Sequence, residues 1–234
     1  MTRLWLIRHG AHDWLGRCLV GRAVGIPLNA AGREQAQLLA EALAAVPLSA
    51  IHSSPMQRTV ETAGPLAAAH GLPVTVDDAL NEIDFGAWTK ASFDELSNDL
   101  RWERWNAARA KAKVPGGESM LEVQRRIVAR LTELARTYSG EQLAIVSHGD
   151  VIRAALCWYL GMSLDLIHML DVAPGGVAAL DLTEGAAALR VLKHSEALFE
   201  DGTSTVSHLP FPSDERVPGV GRLLPDIDLS PTGV

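Results

Sequence analysis

Apolar and polar positions change period several times along this chain, and the changes mark its elements. Residues 4–7 (LWLI) form an unbroken apolar run closed by Arg8-His9-Gly10, which predicts a short buried strand. Past Asn29 the period lengthens. Leu38, Leu39, Ala42, Leu43 and Val46 share one helical face, with Asn29 as N-cap, good helix formers over 34–46 and Pro47 as the stop. Residues 50–53 predict a second strand. Ser54-Pro55 predicts the cap and first position of a second helix, running to about residue 69 before Gly71 and Pro73. A third strand follows at 74–76.

Residues 83–117 read as irregular or helical, with clustered Trp and Arg. Ser119 to Glu122 has the spacing of a capping box and opens a helix to about residue 138. Residues 143–146 repeat the pattern of the first strand and again run into a histidine and a glycine, His148-Gly149. A helix is expected over 151–160. Residues 177–182 and 188–192 predict a strand pair turning at Glu184-Gly185. Strands alternating with helices predict an α/β fold: a mainly parallel central sheet with helices on both faces, a three-layer α/β/α sandwich.

Composition bounds the picture. A chain of 234 residues, 47% apolar, suffices for one sizeable core, which the pattern confines to residues 1–194. Residues 195–234 carry five of the twelve prolines and no lysine, and read as a tail without a domain of its own. The net charge of −7 argues against wholesale nucleic-acid binding. Cys18 and Cys157 fit neither a zinc spacing nor a disulfide framework. No signal-peptide pattern opens the chain and no apolar run nears the ~20 residues of a membrane span. A cytoplasmic protein with no membrane partner is the expectation.

In an open α/β sheet, ligands bind beyond the carboxyl ends of the strands. The first strand delivers Arg8, His9 and Gly10 there. The strand at 143–146 delivers His148 and Gly149. The second delivers Ser54 and, one helical turn on, Arg58; the third leads to Glu82. Two arginines, two histidines and a carboxylate suit a phosphate. Guanidinium groups give bidentate bonds to its oxygens. A neutral imidazole can attack phosphorus, a carboxyl can protonate a leaving alkoxide, and the helix start at Gly149 adds backbone N–H groups.

These residues resemble the histidine phosphatase superfamily, which includes the cofactor-dependent phosphoglycerate mutases. The likeness is carried by LIRHG at 6–10, PLNAAGREQA at 27–36, SSPMQRTVETA at 53–63, LNEIDFGAW at 80–88, PGGES at 115–119 and AIVSHGDVIRA at 144–154. It implies that His9 is the phosphorylated nucleophile, that Arg8, Arg58 and His148 form the phosphate pocket, and that Glu82 is the general acid and then base. It also implies a Rossmann-like sandwich with no metal and no cofactor. Family members often have Glu or Gln, Thr and Asn where this chain has Ala11, His12 and Leu15. A polar contact is therefore missing or supplied elsewhere; Arg17 and Arg22 are candidates, and Arg22 is the one expected in or near the pocket as a substrate-binding residue.

Three readings follow. The first is a phosphatase of a small phosphorylated metabolite. The second is a mutase, disfavoured because the segment after Glu82 lacks the longer RHYG-containing insertion of phosphoglycerate mutases. The third is a non-catalytic phosphate-ligand binder, motivated by Ala11 and Leu15. The lid segment 83–117 is expected to keep most of its Trp residues in the core. Oligomeric state is left open, a homodimer included.

Overall fold

The computed structural model describes residues 1–193; the tail expected at 195–234 lies outside the described residues. Strand β1 (Thr2–Arg8) leads through a loop to α1 (Ala30–Leu43), followed by β2 (Leu48–Ser53), α2 (Gln57–His70) and β3 (Val74–Val76). Two short helices, α3 (Phe93–Ser97) and α4 (Leu100–Ala107), precede α5 (Met120–Thr137). Then come β4 (Gln142–Ser147), α6 (Gly149–Tyr159) and the hairpin β5 (Val177–Thr183) and β6 (Ala186–Lys193).

The six strands form one sheet in the order β3-β2-β4-β1-β5-β6. The first four run parallel, and β5 and β6 run antiparallel to their neighbours. Alternation along the strands divides the core. Leu4 and Leu6 of β1, with Leu143 and Ile145 of β4, face a layer that includes Ile127 and Leu131 of α5 and Leu156 of α6. Trp5 and Ile7, with Ala144 and Val146, face Leu39 and Leu43 of α1 and Leu66 of α2. Both faces of β1 are therefore buried, which is why its apolar run does not alternate.

Local signals set most boundaries. The Asn29 side chain accepts from the Gly32 N–H at 2.9 Å and caps α1. Ser119 and Glu122 complete both halves of a capping box on α5. Gly71, at φ 62°, ends α2 in the left-handed conformation. The start of α2 differs from expectation. Its cap position is Met56, which has no side-chain capping bond, while the Ser54 hydroxyl accepts the Met56 N–H at 3.4 Å and also meets His148 Nε2 at 2.8 Å. No helix among the described residues is long and apolar enough to cross a membrane.

Candidate active site

Strands β1 and β4 are paired in parallel with Arg8 opposite Ser147, so the next residue of each, His9 and His148, leaves the sheet side by side. The two imidazole rings lie 5.3 Å apart between centroids. His9 is buried, and its Nδ1 sits 2.8 Å from the Gly10 carbonyl oxygen. A carbonyl only accepts, so Nδ1 carries the hydrogen and Nε2 keeps a lone pair. Gly10 has no room for a side chain: a Cβ would come within 2.5 Å of the Gly32 carbonyl oxygen, and one on Gly32 within 2.0 Å of the Ala11 carbonyl. The exit of β1 and the first turn of α1 thus meet backbone to backbone. The Gly10 N–H donates to Thr62 Oγ1 of α2 at 3.0 Å, which fixes the turn from a second side.

Arg58, in the first turn of α2, is fully buried. Its Nη2 donates to the Gly21 carbonyl at 2.9 Å and faces His148 Nδ1 at 3.1 Å. A guanidinium has no acceptor, so His148 Nδ1 is the acceptor and its Nε2 carries a hydrogen toward Ser54 Oγ, 2.8 Å away. Arg58 Nε and Nη1 are buried without a hydrogen-bond partner among the described residues, as is Arg8 Nε. Arg8 Nη1 donates to the Val172 carbonyl at 2.7 Å. The Arg8 guanidinium lies against Gly149, where a Cβ would be 3.2 Å from Nε. Two cations with unused donors therefore flank the paired imidazoles. Burial, then Arg58 and Arg8, hold His9 well below the usual histidine range; burial and Arg58 lead the causes for His148.

Glu82 places Oε2 3.6 Å from His148 Nδ1, while Oε1 accepts from the Ile83 N–H at 2.9 Å. Burial, and next the Asp150 carboxylate, push its pKa up to about 7 against the opposing pull of Arg58. Near neutral pH the group exists in both protonation states. Its loop is gripped from behind. Arg22 Nε and Arg126 Nη2 both donate to the Glu82 carbonyl, at 2.8 and 3.1 Å. Both guanidinium groups also reach Glu118 Oε2, which accepts the Asp84 N–H at 3.0 Å. A second pair of glycines seals the contact: a Cβ on Gly117 would stand 2.1 Å from the Asp84 carbonyl, and one on Gly86 2.4 Å from that of Pro115. The segments LNEIDFGAW and PGGES are thus two sides of one seam.

The structure brings Arg8, His9, Arg58, Glu82 and His148 together at one rim of the sheet. Gly149 opens α6 beside Arg8. Arg22 lies next to Glu82, with two of its donors spent on the Glu82 carbonyl and Glu118. Leu15 is half-buried and Arg17 exposed in the preceding loop. Sequence reasoning passed over Asp150, Glu118 and Arg126. Asp150, whose charge acts on Glu82, directly follows the His148-Gly149 pair, and Glu118 sits inside a quoted segment, so position was an available signal; Arg126 on α5 offered none. In the lid, Trp88 and Trp105 are core residues, with Trp102 packed against both. Arg109 is buried over the Trp105 ring, 3.4 Å from its centroid, and its Nη1 lies 3.5 Å from Asp150. The described residues hold no group of three or more His, Cys, Asp or Glu side chains arranged to take a metal ion.

Comparison with known proteins gives a consistent result. The family model described as the histidine phosphatase superfamily (branch 1) matches residues 4–195. Phosphoserine phosphatase 1 of Hydrogenobacter thermophilus is 34% identical over 169 residues, covering 70% of this chain and 79% of that protein. A Salmonella choleraesuis protein named "Probable phosphoglycerate mutase GpmB" is 31% identical over 186 residues, 79% of this chain and 86% of its own. Among solved structures, a mutant phosphoserine phosphatase of Entamoeba histolytica in complex with phosphoserine superposes with a TM-score of 0.76 at 25% identity, covering 85% of this chain and all of that one (100%).

Proposed function

Since the chain belongs to branch 1 of the histidine phosphatase superfamily, we propose that it hydrolyses a small phosphomonoester through a phosphohistidine on His9. The observation that carries this reading is the tautomer of His9: Nδ1 is committed to the Gly10 carbonyl, which leaves Nε2 unprotonated as the nucleophile. The unused donors of Arg58 and Arg8 suit the non-bridging oxygens of a phosphoryl group. Backbone N–H groups in the first turn of α6, which begins at Gly149, add to that field.

In the first half-reaction, Nε2 of His9 bonds to phosphorus as the ester P–O bond breaks. Protonated Glu82 gives its hydrogen to the departing alkoxide. In the second half-reaction, the Glu82 carboxylate takes a proton from water, whose oxygen bonds to phosphorus as the P–N bond breaks. Inorganic phosphate leaves, and Glu82 is protonated again. A carboxyl held at about 7 can serve both halves. His148 steadies Arg58 and lines the same pocket.

The relatives' names cover hydrolysis and phosphate transfer between hydroxyls. Hydrolysis is the reading retained, because α3 and α4, of five and eight residues, make a slight cover for holding a bisphosphorylated intermediate away from water. The test is turnover of a generic aryl phosphate. The wild-type chain is expected to release phosphate, and His9→Ala to release none. Turnover that persists in His9→Ala overturns the nucleophile. Activity that appears only with a bisphosphoglycerate primer identifies a mutase, and phosphate binding with no turnover on sugar, glycerate or nucleotide phosphates identifies a binder.

A further inference from the structure

We infer that His12 is a third imidazole of the phosphoryl pocket, donating its Nε2–H to a non-bridging oxygen of the bound group. The inference rests on the phosphate-binding part of the reading above and does not need turnover. His12 is buried, and its ring lies 5.4 Å from the His9 ring, nearly the separation between His9 and His148. Its Nδ1 accepts the Trp14 N–H at 3.3 Å. An imidazole nitrogen that accepts carries no hydrogen, so in the neutral ring Nε2 is the donor.

That donor is free. Nε2 has no hydrogen-bond partner among the described residues, and it is not one of the sealed, unpartnered atoms, so it keeps access to solvent. His148 differs: both of its ring nitrogens already have partners, Arg58 and Ser54. In the same turn Leu15 has no polar side-chain atom to offer. Burial, with Arg58 and Arg8 close by, lowers the His12 pKa to about 4, so the ring presents one neutral N–H donor across the neutral range. The arginines supply charge, while the imidazole supplies direction without adding a third cation.

Two substitutions separate this role from simple support of the turn. In His12→Asn, the amide oxygen can occupy the place of Nδ1 and keep the Trp14 bond, but nothing reaches the place of Nε2. In His12→Gln, an amide N–H extends toward Nε2. Inorganic phosphate affinity by calorimetry and kcat and KM on an aryl phosphate are measured for both, together with thermal midpoints. A hydrogen bond to a charged partner is worth roughly a tenfold change or more in affinity. The expected result is that His12→Asn loses at least about tenfold in phosphate affinity with its midpoint kept, while His12→Gln stays within about threefold of wild type.

Unchanged phosphate affinity in His12→Asn overturns the inference, and so does the reverse order, with Gln impaired and Asn normal. A wild-type chain that binds no phosphate overturns it as well. Phosphate binding that follows the expected order in a chain without turnover supports His12 while removing the hydrolytic reading. Turnover that depends on His9 but ignores His12 does the opposite.

Discussion

Arg22 holds Glu82 by its backbone: the guanidinium Nε donates at 2.8 Å to the Glu82 carbonyl, and Nη2 pairs with Glu118 at the same distance. This contact governs where the carboxyl stands relative to His148, so Arg22 is read as a positioning residue. Arg22→Ala is expected to lower kcat on an aryl phosphate by about tenfold while KM moves less than about threefold, because displacement of an acid costs rate more than binding. Arg22→Lys, which retains one donor, should recover part of the loss. A change confined to KM would instead put Arg22 on the substrate.

Glu82 should leave a signature in pH. Its carboxyl is held at about 7, so the acid form needed to protonate a leaving alkoxide is lost as pH rises through that value. Turnover of alkyl phosphates is expected to fall above about pH 7, and nitrophenyl phosphate, whose leaving group needs no proton, should fall less. In Glu82→Gln this alkyl-specific limb disappears, and alkyl esters slow more than aryl ones. Equal slowing of both esters in kcat/KM, which reports the first half-reaction and not the shared hydrolysis of the phosphohistidine, would remove the general-acid role. Stability carries the same sign. Between the ordinary glutamate value of about 4.5 and about 7 the folded chain retains a proton that the unfolded chain releases, so this group favours folding less as pH rises across that window. Urea midpoints of wild type and Glu82→Gln, compared at the two ends of the window, check it.

Two glycine-to-alanine changes should have unequal effects. At Gly10 the added methyl meets the Gly32 carbonyl oxygen at 2.5 Å, and backbone cannot swing aside as a side-chain end would. Gly10→Ala is expected to cost about 1–3 kcal/mol and to disturb the His9 turn. At Gly64, inside α2, a Cβ meets nothing within 4 Å beyond its chain neighbours. Gly64→Ala should stay within about 0.5 kcal/mol of wild type, because the gain in helix propensity is offset by the clash of a Cβ with the ring of Pro65, the next residue. Thermal melts of the two variants are the measurement, and a stabilised Gly10→Ala would refute the backbone contact between the exit of β1 and the first turn of α1.

What could be read from the residues was local or periodic. The apolar run at 4–7 marks β1, and Ser119 with Glu122 marks the start of α5, because each is a short-range pattern with a single outcome. At α2 the expected cap is only partly realised: Ser54 Oγ accepts the Met56 N–H at 3.4 Å, yet it also meets a histidine 94 positions away, and the regular helix begins at Gln57. The destination of Arg22 was equally remote, since Glu118 lies 96 residues along the chain. Glycines at 10, 32, 86 and 117 were visible as glycines, whereas the backbones they admit were not. The convergence of Arg8, His9, Arg58, Glu82 and His148 followed from one topological rule about strand ends, and side-chain identity then limited the chemistry. The nitrogen carrying each proton required coordinates.

The pairing of Arg8 with Ser147 has a wider consequence. The interval between His9 and His148 is inherited from the spacing of adjacent strands, about 4.8 Å, which main-chain ladders fix whatever side chains surround them. The two imidazoles are therefore mounted on a main-chain ladder, and a substitution in the side chains around them alters their surroundings without altering that interval.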